Sequence, residues 1–108
     1  MIDLEIIKQH CRLEPDFDDD NQLLETYSNA AGRLIENETG RKIYVDENSP
    51  GFAEDQDALL LNDDITQAIL LLTGHWYENR EAVVIGTITA EMPMAVRALT
   101  QPYRHFHL

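Results

Sequence analysis

Cysteine and long apolar runs are scarce in this sequence, and their scarcity excludes several kinds of structure. Cys11 is the single cysteine among 108 residues, so neither an internal disulfide nor a cysteine-based zinc cluster is possible. No run of about 18 apolar residues occurs, so we expect no membrane-spanning helix. The opening MIDLEIIKQH lacks a basic start followed by an apolar stretch, so we expect no secretory signal. The length and the 44% hydrophobic content suit one domain over residues 1–108.

Positive charge is also scarce. The chain has 8 Lys and Arg against 20 Asp and Glu, and its formal net charge is −12. A free-standing nucleic-acid binder usually carries a basic patch, and no basic run is present. We therefore expect no specific grip on DNA. An acidic surface past which DNA slides stays compatible with this composition, because like charges discourage sticking.

Motifs that carry chemistry are missing as well. The sequence has no glycine-rich loop that would cradle a phosphate and no dinucleotide fingerprint. Ser28 and Ser49 lack a nucleophile-elbow pattern, and Cys11 lies on the apolar edge of the first predicted helix. Acid pairs such as Asp63-Asp64 are better explained as solvated helix starts. We therefore predict that the protein is not an enzyme and holds no cofactor.

The apolar spacing predicts an all-α fold, a small bundle of about four helices, two long and two short. Acidic or amide caps precede the helices, and Gly40 follows the second where a left-handed C-cap is easiest. The predicted helices run from about Asp3 to Cys11, from about Asp18 to Thr39, from the Asn62–Asp64 cap to about Asn79, and from Pro93 to Pro102.

Two connections are unusual for a small bundle. The segment 41–61 is long, with Lys42 to Val45 as a possible short strand and Glu47 to Gly51 as a turn. The segment 81–91, EAVVIGTITAE, is rich in β-branched residues and predicts an extended or hairpin-like loop. Its apolar character suggests a contact element.

The third helix is apolar over more than half of its circumference. One stripe runs from Ile65 to Trp76, and a second contains Leu70, Thr73 and Tyr77. A surface helix of a monomer needs one apolar stripe. Two interpretations therefore stay open: the helix is central to the fold, or its second face meets another subunit.

The end of this helix, GHWYENR, concentrates polar and aromatic residues. His75 and Glu78 have the i, i+3 spacing that di-metal bundles use, but such sites need two motifs and further carboxylates, so a surface histidine is favoured. Trp76 belongs to the core stripe. Tyr77 and Arg80 are residue types enriched in interface hot spots. Arg80 can stack on an aromatic ring or pair with an acid nearby, or it can be a solvated helix end.

At these residues the sequence resembles the bacteriophage head–tail connector proteins of the small, all-helical adaptor family. The block 64–83 carries the most specific likeness, with the typical ending His-x-Tyr-Glu-Asn-Arg-Glu at residues 75–81. The other two blocks are 3–40, which is a short helix, an acidic turn and a long helix, and 92–104, which is a proline-started helix followed by Tyr103-Arg104.

The resemblance implies a structural virion protein at the head–tail junction, assembled in the host cytoplasm. Such proteins form a homo-oligomeric ring under the portal after genome packaging, dodecameric if it matches the portal. The ring extends the DNA channel and offers a platform to the next tail-side connector or stopper protein. DNA passes through without specific binding, and no membrane is involved.

Two sets of residues are candidates for the contacts that such a ring needs. A ring requires two different patches on each subunit. For the subunit interface we predict Leu70, Thr73, Tyr77, Arg80, Val84 and Ile85. For portal docking we predict Tyr103, Arg104 and Phe106. The alternatives are a small helical regulator acting as a dimer and, with less support, a metal-dependent enzyme built on His75 and Glu78.

Overall fold

The computed structural model describes residues 1–80 and 93–104, and it confirms the predicted small, mainly helical bundle. The predicted loop 81–91 lies outside the described residues. The elements are α1 (Leu4–His10), α2 (Asn21–Thr39), β1 (Ile43–Tyr44), β2 (Leu59–Leu60), α3 (Asp63–Glu78) and α4 (Met94–Thr100), and a 3₁₀ turn (Gln101–Tyr103) follows α4.

The helix ends follow local chemistry. The Asp3 carboxylate accepts a hydrogen bond from the Glu5 amide, and the Asn62 side chain accepts one from the Ile65 amide at 3.0 Å. Gly40 ends α2 in the left-handed region with φ of 71°, as predicted. α2 begins at Asn21, three residues later than predicted, because Asp18 to Asp20 form the turn before the helix. Pro93 is the N-cap of α4 rather than its first residue.

The core is built around α3, which packs against α1, α2 and α4. Trp76 is buried, as predicted, and its ring lies edge-on to Tyr27 with 6.1 Å between centroids. Each buried Leu or Ile side chain stabilises the fold by about 1.5–3 kcal/mol. The main cluster contains Tyr27, Ala31, Ile35, Ile43, Leu59, Ile65, Ala68, Ile69, Leu72, Trp76 and Val96. The apolar second face of α3 is thus explained by its central place in the subunit.

The 41–61 connection contains a two-stranded parallel sheet. Ile43 pairs with Leu59, and Tyr44 pairs with Leu60. The first strand is shorter than the predicted Lys42 to Val45, and the second was not predicted. A hydrogen bond joins the loop between the strands to β1: the Tyr44 hydroxyl donates to Asp55 Oδ2 at 2.9 Å. The connection therefore has ordered structure of its own.

Candidate functional site

Tyr77, Arg80 and Asp20 form a compact polar cluster where the end of α3 meets the start of α2. The Tyr77 hydroxyl donates to Asp20 Oδ2 at 2.6 Å, and Arg80 Nη1 donates to the same oxygen at 3.1 Å. The Arg80 guanidinium carbon also lies 4.9 Å from the centroid of the Tyr77 ring. The two behaviours considered for Arg80, stacking and ion pairing, thus occur together.

The electrostatics of this cluster favour a protonated tyrosine. The hydrogen bond to Asp20 raises the pKa of Tyr77 above its usual range, and burial raises it further. Asp20 lies just before α2, where a carboxylate complements the positive end of the helix dipole. The Arg80 side chain is 49% exposed and that of Asp20 is 23% exposed. The cluster is therefore partly accessible, mainly through the Arg80 side chain.

Leu70 and Thr73, the other described residues of the predicted interface, lie inside the subunit. Leu70 is 7% exposed and belongs to a second, smaller cluster with Ile7 and Leu24. Thr73 is fully buried, and its hydroxyl donates to the Ile69 carbonyl at 2.8 Å. Elements of the same chain therefore cover the surface that these two residues were expected to offer.

The interface assignment now depends on fewer residues. Val84 and Ile85 lie outside the described residues. The described part of the predicted patch that reaches the surface is Tyr77 with Arg80. Their role at a subunit interface stays a prediction.

A cleft of about 480 Å³ lies beside this cluster, between the end of α1 and α3. The end of α1 and α3 approach each other closely at Gly74. A Cβ added to this glycine would lie 3.1 Å from Nε2 of His10. Burial, with a contribution from Glu78, raises the pKa of the Cys11 thiol, which disfavours a reactive thiolate. The cleft is lined by His10, Cys11, Arg12, Leu71, Gly74, His75, Tyr77 and Glu78.

The metal interpretation of His75 and Glu78 gains no support from this cleft. His75 is exposed on the surface of α3. Within residues 1–80 and 93–104, no three His, Cys, Asp or Glu side chains are grouped so that they would hold a metal ion.

Tyr103 and Arg104, predicted to dock the portal, make contacts within the subunit. The Tyr103 hydroxyl donates to Asp64 Oδ2 at 2.6 Å. This hydrogen bond raises the pKa of Tyr103, and burial raises it further. Arg104 Nη1 lies 4.0 Å from Glu38 Oε1. Both residues lie at the end of the described chain, and portal docking stays a prediction for them. Phe106 lies outside the described residues.

Sequence reasoning missed two basic residues that organise the subunit. Lys8 is 5% exposed, and its ammonium donates to Asp18 Oδ1 at 2.9 Å and to the Pro15 carbonyl at 3.2 Å. The hydrogen bond from Lys8 lowers the pKa of Asp18. One signal was available: Lys8 follows Leu4 by one helical turn, within the buried stripe of α1.

Arg41 is the second missed residue. Its guanidinium donates to the carbonyls of Asp57 at 3.0 Å, Ala58 at 2.8 Å and Tyr103 at 3.3 Å. It thereby joins the start of the 41–61 connection to the end of that connection and to the turn after α4. Since the acceptors are main-chain carbonyls, no residue type in the sequence marks them.

Comparison of the chain with known proteins identifies its family. No curated protein and no solved structure matches the chain significantly. In the described part of the chain, no helix is both long and apolar enough to cross a membrane. One family does match, under the description phage gp6-like head-tail connector protein, and the match covers residues 1–104. With nearly the whole chain matched and the predicted bundle observed, the chain belongs to the phage gp6-like head-tail connector family.

Proposed function

We propose that this protein forms a ring under the portal that extends the DNA channel and joins the phage head to the tail after genome packaging. The observation that carries the proposal is the family match over residues 1–104. Family membership supports a structural joining role in the virion. The ring, its channel and its place after packaging are the parts that the proposal adds.

The charge of the chain supports a channel through which DNA slides. A formal net charge of −12 per subunit, repeated around a ring, gives an acidic assembly. Such an assembly repels phosphate groups and so discourages sticking to the wall. The net charge of the chain thus favours passage of DNA over specific binding.

The candidate site supports a choice of residues for the contacts of the ring. In this proposal Tyr77 and Arg80 lie at the subunit interface, because their cluster is accessible and consists of hot-spot residue types. The segment after α4, with Tyr103, Arg104 and Phe106, docks to the portal. The next tail-side protein binds the opposite side of the ring.

Electron microscopy tests the proposal most directly. The purified chain would be imaged alone and after mixing with the portal of the same phage, with the mass of each assembly measured in parallel. We expect a ring coaxial with the portal and a copy number that follows the portal symmetry. A stable dimer that does not bind the portal would overturn the proposal and favour a small helical regulator.

A further inference from the structure

The acidic residues are distributed unevenly along the chain. All 20 Asp and Glu residues precede residue 92. The described segment 93–104 contains Arg97 and Arg104 and no acidic side chain. A cation on this segment therefore lacks an acidic partner within its own segment, whereas the rest of the chain is rich in acidic residues.

The outer face of α4 lacks a partner within the described subunit. Val96 on the inner face is buried in the main cluster, whereas Met94 is 86% exposed. Ala95, Arg97 and Ala98 are exposed as well. Met94 and Arg97 are separated by three positions, so they lie on the same face of the helix. We call Met94, Ala95, Arg97 and Ala98 the α4 face: an apolar knob beside a single cation.

A shallow cleft on α1 has the complementary character. The cleft has a volume of about 490 Å³ and is lined by Glu5, Lys8, Gln9, Leu13 and Pro15. Leu13, Pro15 and the Lys8 methylenes supply apolar surface. Asp18 already binds the Lys8 ammonium at 2.9 Å, so Glu5 is the exposed charged side chain that lines the cleft. We call this the α1 cleft.

The two surfaces belong to different parts of the subunit. α1 packs through Ile7 in the smaller cluster with Leu70, whereas α4 packs through Val96 in the main cluster. A pair of different patches that meet between copies is the heterologous contact from which a ring closes.

We propose that the α4 face of one copy docks into the α1 cleft of the next copy, with Met94 in the cleft and Arg97 beside Glu5. This inference rests on the proposed ring and names the contact that builds it. The occupant is a second copy because the cleft carries an acidic side chain with apolar walls, and the α4 face supplies an apolar knob with a cation.

The geometry agrees with the interface residues of the proposed function. Lys8 of the α1 cleft binds Asp18, two residues before the Asp20 that holds Tyr77 and Arg80. The α1 cleft and the Tyr77–Arg80 cluster therefore lie near the same turn, at the start of α2. One side of the subunit would therefore contact the next copy through both the α1 cleft and the Tyr77–Arg80 cluster.

Reversing and then exchanging the two charges tests this contact. Self-association of the full chain would be measured by sedimentation velocity over a concentration series, with helix content checked by circular dichroism. We expect Arg97→Glu and Glu5→Arg each to weaken association about threefold to tenfold. The double variant should restore most of the loss, because the opposite charges face each other again. Arg33→Glu, at an exposed position on α2, is the matched control and should have a smaller effect.

The apolar part of the contact has its own test. Met94→Ser removes the knob at an exposed position and should leave helix content unchanged. We expect about tenfold weaker association, the value of burying part of a methionine side chain. Met94→Leu, which keeps the apolar volume, should associate within about twofold of the original chain.

Three results would overturn the docking contact. The first is equal weakening by Arg97→Glu and Arg33→Glu, which would assign the effect to overall charge. The second is a charge-exchanged double variant as weak as the worse single variant. The third is a chain that stays monomeric at its highest soluble concentration. If rings still form on the portal in any of these cases, the proposed function stands and this contact alone fails.

Discussion

The two ends of α3 are each bound by a tyrosine hydroxyl that donates to an aspartate Oδ2 at 2.6 Å. At the C-terminal end, Tyr77 of α3 reaches Asp20 before α2, and Arg80 donates to the same oxygen. At the N-terminal end, Asp64 of α3 accepts from Tyr103, which follows α4. The bond lengths are equal, whereas the surroundings differ.

Because their surroundings differ, we expect the two hydrogen bonds of equal length to contribute different amounts to stability. Tyr77 packs against both hydrophobic clusters, and Asp20 is 23% exposed, so little water competes for their bond. Asp64 is exposed, and water is available to replace Tyr103 as its partner. A hydrogen bond contributes more where the groups left behind would be poorly solvated. We therefore expect the bond at the C-terminal end to stabilise the fold more.

Removing each aspartate gives the largest expected contrast. Asp20→Ala leaves the half-buried Tyr77 hydroxyl and Arg80 without their shared acceptor, and we expect it to lower the free energy of unfolding by about 2 kcal/mol. Asp64→Ala should cost less than about 1 kcal/mol, because water replaces the lost bond. Urea unfolding at pH 7 measures both values. Equal losses would show that the two ends are energetically alike despite their different exposure.

Removing the hydroxyl of Tyr77 or of Tyr103 should change how the stability of the fold depends on pH. The pKa of Tyr77 is raised in the folded protein, so its contribution is present below the unfolded pKa of about 10 and is lost as pH rises through the folded pKa. We expect Tyr77→Phe to cost about 1 kcal/mol at pH 7 and progressively less under alkaline conditions. Tyr103→Phe should follow the same direction with a smaller loss at pH 7. Urea midpoints at several pH values test this, and a cost of Tyr77→Phe that grows with pH would contradict it.

Removing the cation at the C-terminal end has the smallest expected effect on folding. Arg80 is about half exposed, so Arg80→Ala should cost roughly 0.5 kcal/mol or less, and added salt should reduce that cost. If Arg80 lies at the subunit interface, the same variant should weaken the ring clearly more than it weakens the fold. Unfolding at two salt concentrations and ring mass by sedimentation separate these effects. Arg33→Ala, on the exposed surface of α2, is the matched control.

The helices of this protein were largely predictable, because their apolar residues recur at helical spacing and their caps are local. Asn62 and Gly40 act within one turn of their own position, so the sequence around them contains the needed information. Trp76 was likewise assignable to the core from its place in the stripe of α3. Where a structural cause lies within a few residues, the sequence reveals it.

The remaining features depend on long-range partners. The spacing of Leu70 and Thr73 shows that they share a face, but it does not show that α1 and α2 cover that face. The pairing of Ile43 with Leu59 crosses a loop, and each strand is two residues long, too short for a periodic signal. The stripe of α1 indicates that Lys8 is buried, but it does not show that the Pro15 carbonyl and the Asp18 carboxylate lie within reach of its ammonium.

The guanidinium of Arg41 also has a consequence for how the end of the chain is held to the subunit. Because Arg41 binds the carbonyls of Asp57, Ala58 and Tyr103, the turn after α4 is joined sideways to the chain that follows α2. A pull on the chain beyond Arg104 would therefore be shared between the packing of α4 and the hydrogen bond from Arg41 to the Tyr103 carbonyl, at 3.3 Å. In a joint between a head and a tail, this arginine gives the end of the described chain a second attachment to its own subunit.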